Sequence, residues 1–199
     1  MGTRHLIAVQ IDGQYKVAQY GQFDGYLTGQ GTDVLNFLRD KMNVDLFKEK
    51  LRQCSWITDA EYSDAWVDCG AEPNSDFVNM DVSQRFREKY PWLHRSTSAE
   101  VLSLIQDSEN GLKLANSINF AGGSLFCEWA YVIDFDKNTF EIYKGFNKTP
   151  LSESDRFYFL KVDDDALNYN QVKLVREYSF NELPTPEDLV ELDKEIHSD

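Results

Sequence analysis

A short apolar alternation that folds straight back on itself constrains this chain more than any other feature. Ile7, Val9 and Ile11 recur at every second position, Asp12-Gly13 follows, and the stretch from Tyr15 to Tyr20 returns. An Asp-Gly pair supplies the two positive-φ residues that a tight turn between twisted strands requires, so a β-hairpin is expected over residues 5–20. The same logic predicts a second hairpin over residues 127–143. There Trp129, Tyr131, Ile133 and Phe135 share one face, and Phe140 and Ile142 answer them across an Asp136-Lys137-Asn138 turn. Further strands are expected at residues 156–162 and 172–178 from their apolar patterning.

Between and after these strands the period changes to helical. Val34, Leu35, Leu38 and Met42 predict a helix opened by Thr32 as N-cap, with Asp33 placed well against the dipole. Asn43 caps a second helix over residues 44–53 that buries Phe47 and Leu51. Thr58 to Glu61 and Thr97 to Glu100 both have capping-box spacing, the second opening a helix whose Val101, Leu102 and Ile105 face inward. Thr185-Pro186-Glu187-Asp188 starts a last helix that buries Leu189, Leu192 and Ile196. Hairpins flanking a helical region, without strand-helix-strand alternation, predict an α+β fold: a mainly antiparallel sheet with helices packed on it. A single domain over residues 1–199 is expected, with an irregular helical insertion at about residues 55–95.

Apolar residues make up 42% of the 199 positions and aromatics 14%, enough surface to bury against the entropy of ordering the chain. The formal charge of -14 repels phosphate backbones and anionic lipid, so neither nucleic acid nor membrane is expected as a direct partner. A small ligand or a basic protein fits better. No run approaches the ~18 apolar residues of a membrane helix, and the first residues lack the zones of a secretory signal, so a cytoplasmic protein is expected. Cys54, Cys69 and Cys127 are an odd count without metal-ligand spacing and read as reduced thiols. No cofactor or metal is implied.

The segment after the first hairpin reads as a binding site. Tyr20, Gln22, Phe23, Asp24 and Tyr26 put aromatic faces, an amide and a carboxylate at a strand end, and Gly29 and Gly31 permit close backbone approach before the Thr32 helix. That helix N-terminus would also suit an anion. The Tyr20-Gly21-Gln22-Phe23-Asp24-Gly25-Tyr26 run followed by Gly29-Gln30-Gly31, with the Gly2-Thr3-Arg4 start and the Asp12-Gly13 turn, resembles a group of uncharacterised fungal and bacteriophage proteins. Phe23 stands where that group's pattern has Trp, and Leu27 where it has Pro; the stretch from Phe126 to Asp134 is also similar. The resemblance implies no activity.

A second, weaker resemblance is to N-terminal-nucleophile hydrolases of the choloylglycine hydrolase type. It implies Thr3 as nucleophile after removal of Met1-Gly2, with Asp24 contacting the freed amine and Gln22 standing where the family has Arg. Other constellations read as structure. Cys127 with His94 and Glu128 resembles a packing cysteine more than a nucleophile, and Asp134-Phe135-Asp136 fits a hairpin turn. Asp163-Asp164-Asp165 lacks the spacing of a calcium loop. The first expectation is therefore a binding or interaction module using residues 20–31; the alternative is an amide hydrolase using Thr3 and Asp24.

Overall fold

The computed structural model describes residues 2–73, 78–162 and 168–198. The chain opens with β1 (His5–Ile11) and β2 (Gln14–Gly21), paired antiparallel around Asp12 at φ 54° and Gly13 at φ 71°. A π-helical turn Leu27–Gly31, α1 (Thr32–Asn36) and a second π-helical turn Phe37–Lys41 then run on as one helix. Thr32 is thus not an N-cap. Its hydroxyl donates back to the Leu27 carbonyl at 3.2 Å inside the helix, which removes the anion-binding terminus expected there.

The next helix, α2 (Val44–Gln53), is capped as expected, with Asn43 Oδ1 accepting from Leu46 N at 3.2 Å. After the short β3 (Ser55–Trp56), the stretch expected as an irregular helical insertion holds α3 (Asp59–Asp68) and α4 (Met80–Lys89), followed by a 3-10 turn Pro91–Leu93. α3 opens with the full reciprocal Thr58/Glu61 capping box. The Thr97 box is not made. Thr97 Oγ1 donates to the Pro91 carbonyl, Ser98 sits at φ 49°, and Gln30 Oε1, from the first helix, accepts from Ala99 N at 2.9 Å just before α5 (Glu100–Asp107).

After β4 (Lys113–Leu114) and a 3-10 turn Ile118–Gly122 come β5 (Trp129–Asp134) and β6 (Thr139–Lys144), the second hairpin, with Tyr131 opposite Ile142 and Ile133 opposite Phe140. Asp134 Oδ1 accepts from the N–H groups of Asp136 and Lys137, so this Asp-Phe-Asp run builds its own turn. Asp136 in turn accepts from Asp12 N and Gly13 N at 2.8 and 2.9 Å, and one hairpin turn caps the other. Residues 156–162 are turns, not the expected strand, because Phe157 and Leu160 point inward three positions apart while Tyr158 and Phe159 are exposed. The Asp163 to Asp165 run lies outside the described residues. β7 (Lys173–Ser179) and α6 (Pro186–Ser198) complete the chain, α6 starting with Thr185 Oγ1 accepting from Asp188 N.

The five-stranded sheet has the order β2-β1-β5-β6-β7 and is antiparallel except at its centre. There β1 and β5 run parallel, His5 beside Trp129 and Gln10 beside Asp134, which corrects the expectation of a sheet made from hairpins alone. On one face Ile7, Val9, Tyr131, Ile133, Phe140 and Ile142 pack under α1, α2, α5 and α6. On the other, Leu6, Ala8, Ala130, Val132 and Tyr143 meet Phe157, Leu160 and Val172 from irregular chain. That second face also buries Arg156, whose guanidinium pairs with Asp134 and, at 2.6 and 2.7 Å, with both oxygens of Glu141. Gln10 Oε1 and Tyr15 OH accept from the same group. A third small cluster, Ala65, Cys69, Val82, Phe86 and Leu93, holds the insertion together. Among the described residues no helix is long and apolar enough to cross a membrane.

Candidate functional site

The bend after β2 is built around His5. Its imidazole is fully buried, and neither ring nitrogen has a hydrogen-bond partner. A Cβ on Gly21 would overlap the imidazole and stand 2.7 Å from Ser98 Oγ; one on Gly25 would lie 2.8 Å from His5 Nδ1 and 2.7 Å from the Thr3 carbonyl. Neither glycine has a positive φ, so what these positions require is space. Burial drives the His5 pKa from 6.5 down to about 4, with the Thr3 backbone opposing, so the ring is neutral at pH 7.

The backbone of the bend is likewise used internally. Gly25 N donates to Thr3 O at 3.0 Å, Gln30 N to Asp24 O at 2.9 Å and Gln22 N to Arg95 O at 3.3 Å, while the buried Tyr131 hydroxyl donates to Gly25 O at 2.8 Å. Gly31 packs on the Tyr131 ring and Gly29 on the Asp24 carbonyl. The close approach that these glycines permit is therefore made by the protein's own groups. Tyr20 packs edge-on against Phe120 at 5.0 Å. Asp24, at φ 55°, is exposed, as are Phe23 and Tyr26 at 46% and 49%.

The hydrolase arrangement finds no support in this geometry. Thr3 is buried, and it meets the bend through its carbonyl and Gly25 N rather than through the Asp24 carboxylate. Gly2 is packed in, since a Cβ there would overlap the Gln22 carbonyl and lie 2.7 Å from the Phe23 ring. Nor does the fold stack two sheets: among the described residues there is one five-stranded sheet and a two-stranded β3-β4 ribbon. Cys127 is fully buried, and that burial pushes its thiol pKa far up, away from the thiolate that a nucleophile needs. All three cysteines are free and buried, and among the described residues no cluster of His, Cys, Asp or Glu could hold a metal ion.

Three surfaces stand out beyond the bend's own packing. A polar cavity of about 310 Å³ lies between the first helix and the start of α5, where Gln30, Asp33, Lys41, Ser96 and Glu100 reach it. A larger and more apolar groove of about 520 Å³ runs along α3. Neither is lined by Thr3, Tyr20, Gln22, Phe23, Asp24, Tyr26, Gly29 or Gly31.

The third is the sheet end itself, where β1 and β5 begin and β2 and β6 finish. Phe23 lies against Gly2; two residues on, the Arg4 guanidinium sits over the Phe126 ring at 4.9 Å, and Arg4 N donates to Glu128 Oε1 at 3.1 Å. Phe146 N donates to Ser124 O at 2.7 Å, bringing in a further ring that meets Tyr169 at 6.2 Å, with Lys148 Nζ over Tyr169 at 5.5 Å. Phe126 and Phe146 are 44% and 48% exposed, and Phe146 is held at φ 56°, a strained angle for a bulky side chain. Phe23 and Tyr26 are among the candidates read from the sequence; Phe126 and Phe146 are not. The aromatics after Ser124 and Gly145 were the available signal. No family model, curated protein or solved structure matches the chain, so neither resemblance drawn from the sequence is carried further.

Proposed function

We propose that the protein is a non-catalytic interaction module that takes an apolar-anchored segment of a partner protein on this sheet end. The carrying observation is the exposure, by nearly half, of Phe23, Tyr26, Phe126 and Phe146 together on loops at one end of the sheet; the other rings exposed as far, Tyr158 and Phe159, sit on the turns of residues 156–162. Aromatic side chains rimmed by arginine are the residue types that supply binding energy at protein interfaces. Arg4 stacks on Phe126 and Lys148 on Tyr169, which orders both cations around the rings. The strain at Asp24 and Phe146 is held by backbone bonds of the packed core beneath, so the surface is presented pre-formed.

Selection from a random-peptide display library, read as affinity for the wild-type protein against Phe23→Ala and Phe126→Ala, tests this. Both positions are half exposed, so the fold should survive. Selected peptides should lose at least about tenfold in affinity, the equivalent of ~1.4 kcal/mol. Peptides that bind the variants as well as the wild type would sink the proposal.

A further inference from the structure

The groove along α3 combines two properties that seldom coincide on a helix surface. Its floor is apolar, made by Ile57, Ala65, Leu93 and Leu112, with Tyr90 and Trp92 forming one wall. Those rings meet edge-to-face at 5.9 Å. Its rim is charged: Glu61, Asp64 and Asp68 recur at helical spacing with Ala65 and line the groove together with Lys113. α3 carries four carboxylates and no basic residue.

The rim already holds ammonium groups of the protein's own. Lys113 pairs with Glu61, and that bond lowers the Glu61 pKa to about 2, keeping the carboxylate charged. Lys89 pairs with Asp68 at 2.5 Å and lies 5.8 Å over the Tyr90 ring, whose hydroxyl donates to Asp68 at 2.6 Å. Asp64, between them, forms no ion pair among the described residues and is exposed. Two lysines thus mark where cationic side chains settle, and the middle carboxylate stands open above an apolar trough.

From this juxtaposition we infer that the groove is a second docking site, independent of the sheet end, whose occupant is a basic amphipathic segment of another protein. Its apolar side chains lie on Ala65, Leu93 and Leu112 between the Tyr90 and Trp92 rings and α3. One of its Lys or Arg side chains pairs with Asp64, the rim carboxylate that no lysine of the described residues holds. Charge complementarity selects this occupant, because an acidic segment meets repulsion from Asp64 and from the net negative charge, and a purely apolar one leaves Asp64 unpaired. The excess of 14 negative charges steers such a segment toward the protein.

The test is binding of a synthetic peptide of repeating Leu-Lys-Lys-Leu units, followed by chemical-shift changes of the Trp92 indole, against its Leu-Glu-Glu-Leu counterpart and against spermidine. The basic peptide should bind, weaken steeply with added salt, and lose at least about tenfold for Asp64→Lys. Glu191→Lys, an equal charge change on the exposed face of α6, should leave binding within about twofold. Three outcomes overturn the inference: no shift at Trp92, equal loss for both variants, or spermidine binding as tightly as the peptide, which would make this a site for a small cation. Failure here leaves the sheet-end proposal standing, because the two rest on different residues.

Discussion

On one face of the sheet, Ile7, Tyr131 and Ile142 meet helices and carry no charge, whereas on the other, Gln10, Asp134 and Glu141 close around a single guanidinium delivered by irregular chain. Both faces exclude water. The helical face does so by apolar packing, which tolerates small errors of position. The loop-covered face has few helices to bring apolar stripes, and it fixes Arg156 with directional bonds from four side chains instead. Burial works against ionising Asp134, yet the N–H groups of Lys137 and Asp136, with Arg156, hold its carboxyl below the usual range. An irregular connection can be given one conformation when a fully satisfied polar network anchors it.

The sharpest way to break this contrast is to remove the guanidinium. Arg156→Met leaves the buried Asp134 without an ion pair and Glu141 with Lys137 alone, 3.6 Å away, and should cost about 3–5 kcal/mol in urea unfolding at pH 7. Leu189→Ala, under the helical face, should cost about 2–5 kcal/mol through the cavity it leaves. The two losses differ in pH dependence. The Arg156→Met deficit should shrink as acid protonates Asp134, while the Leu189→Ala deficit stays level. Parallel curves would refute the electrostatic account.

His5 is a buried polar residue on the helical side, since it alternates with Leu6 and so shares the face of Ile7, as Gln19 does on the neighbouring strand. Its pKa is about 4 when folded and 6.5 when free, so the unfolded chain binds the proton first. Stability contributed by the neutral ring is full above pH 6.5 and is lost as the pH falls toward 4, by up to about 3 kcal/mol. Urea midpoints across that window should fall more steeply for the wild type than for His5→Asn; equal slopes would mean that the ring is solvated. Gly21→Ala drives a methyl into the same imidazole and should cost about 1–3 kcal/mol, much of it restored in a His5→Ala background. The smallest expected effect lies outside both faces. Phe146→Asn exchanges a strained aromatic for a residue that accepts φ 56°, and should change stability by less than about 1 kcal/mol while weakening peptide binding at the sheet end.

Local chemistry made much of the fold legible. Asp12-Gly13, Asn43, Thr58 with Glu61, and Thr185 with Asp188 act as their spacing predicts, because each needs only neighbours in sequence. The misreadings occur where a distant group took the place of a local one. Gln30 caps Ala99 in place of Thr97, and Leu27 opens the helix before Thr32 can. The parallel β1-β5 pairing had no short-range signature, although the unbroken apolar runs in both strands are what burial on two faces produces. The bend was legible as a special place but not as the reason for itself. Its glycines answer to His5 and Tyr131, which no spacing rule connects to them.

The central pairing also governs the order in which the molecule can be made. Arg4 and Glu128, joined by a hydrogen bond, are 124 positions apart, so the first hairpin emerges from synthesis long before its inner neighbour exists. Until then Ile7, Val9 and Leu6 stand bare on opposite sides of a two-stranded ribbon, which is marginal in water by itself. Native pairing at the centre of the sheet waits on a contact of high sequence separation, the kind of topology that slows folding, and until it forms the ribbon keeps apolar side chains in water.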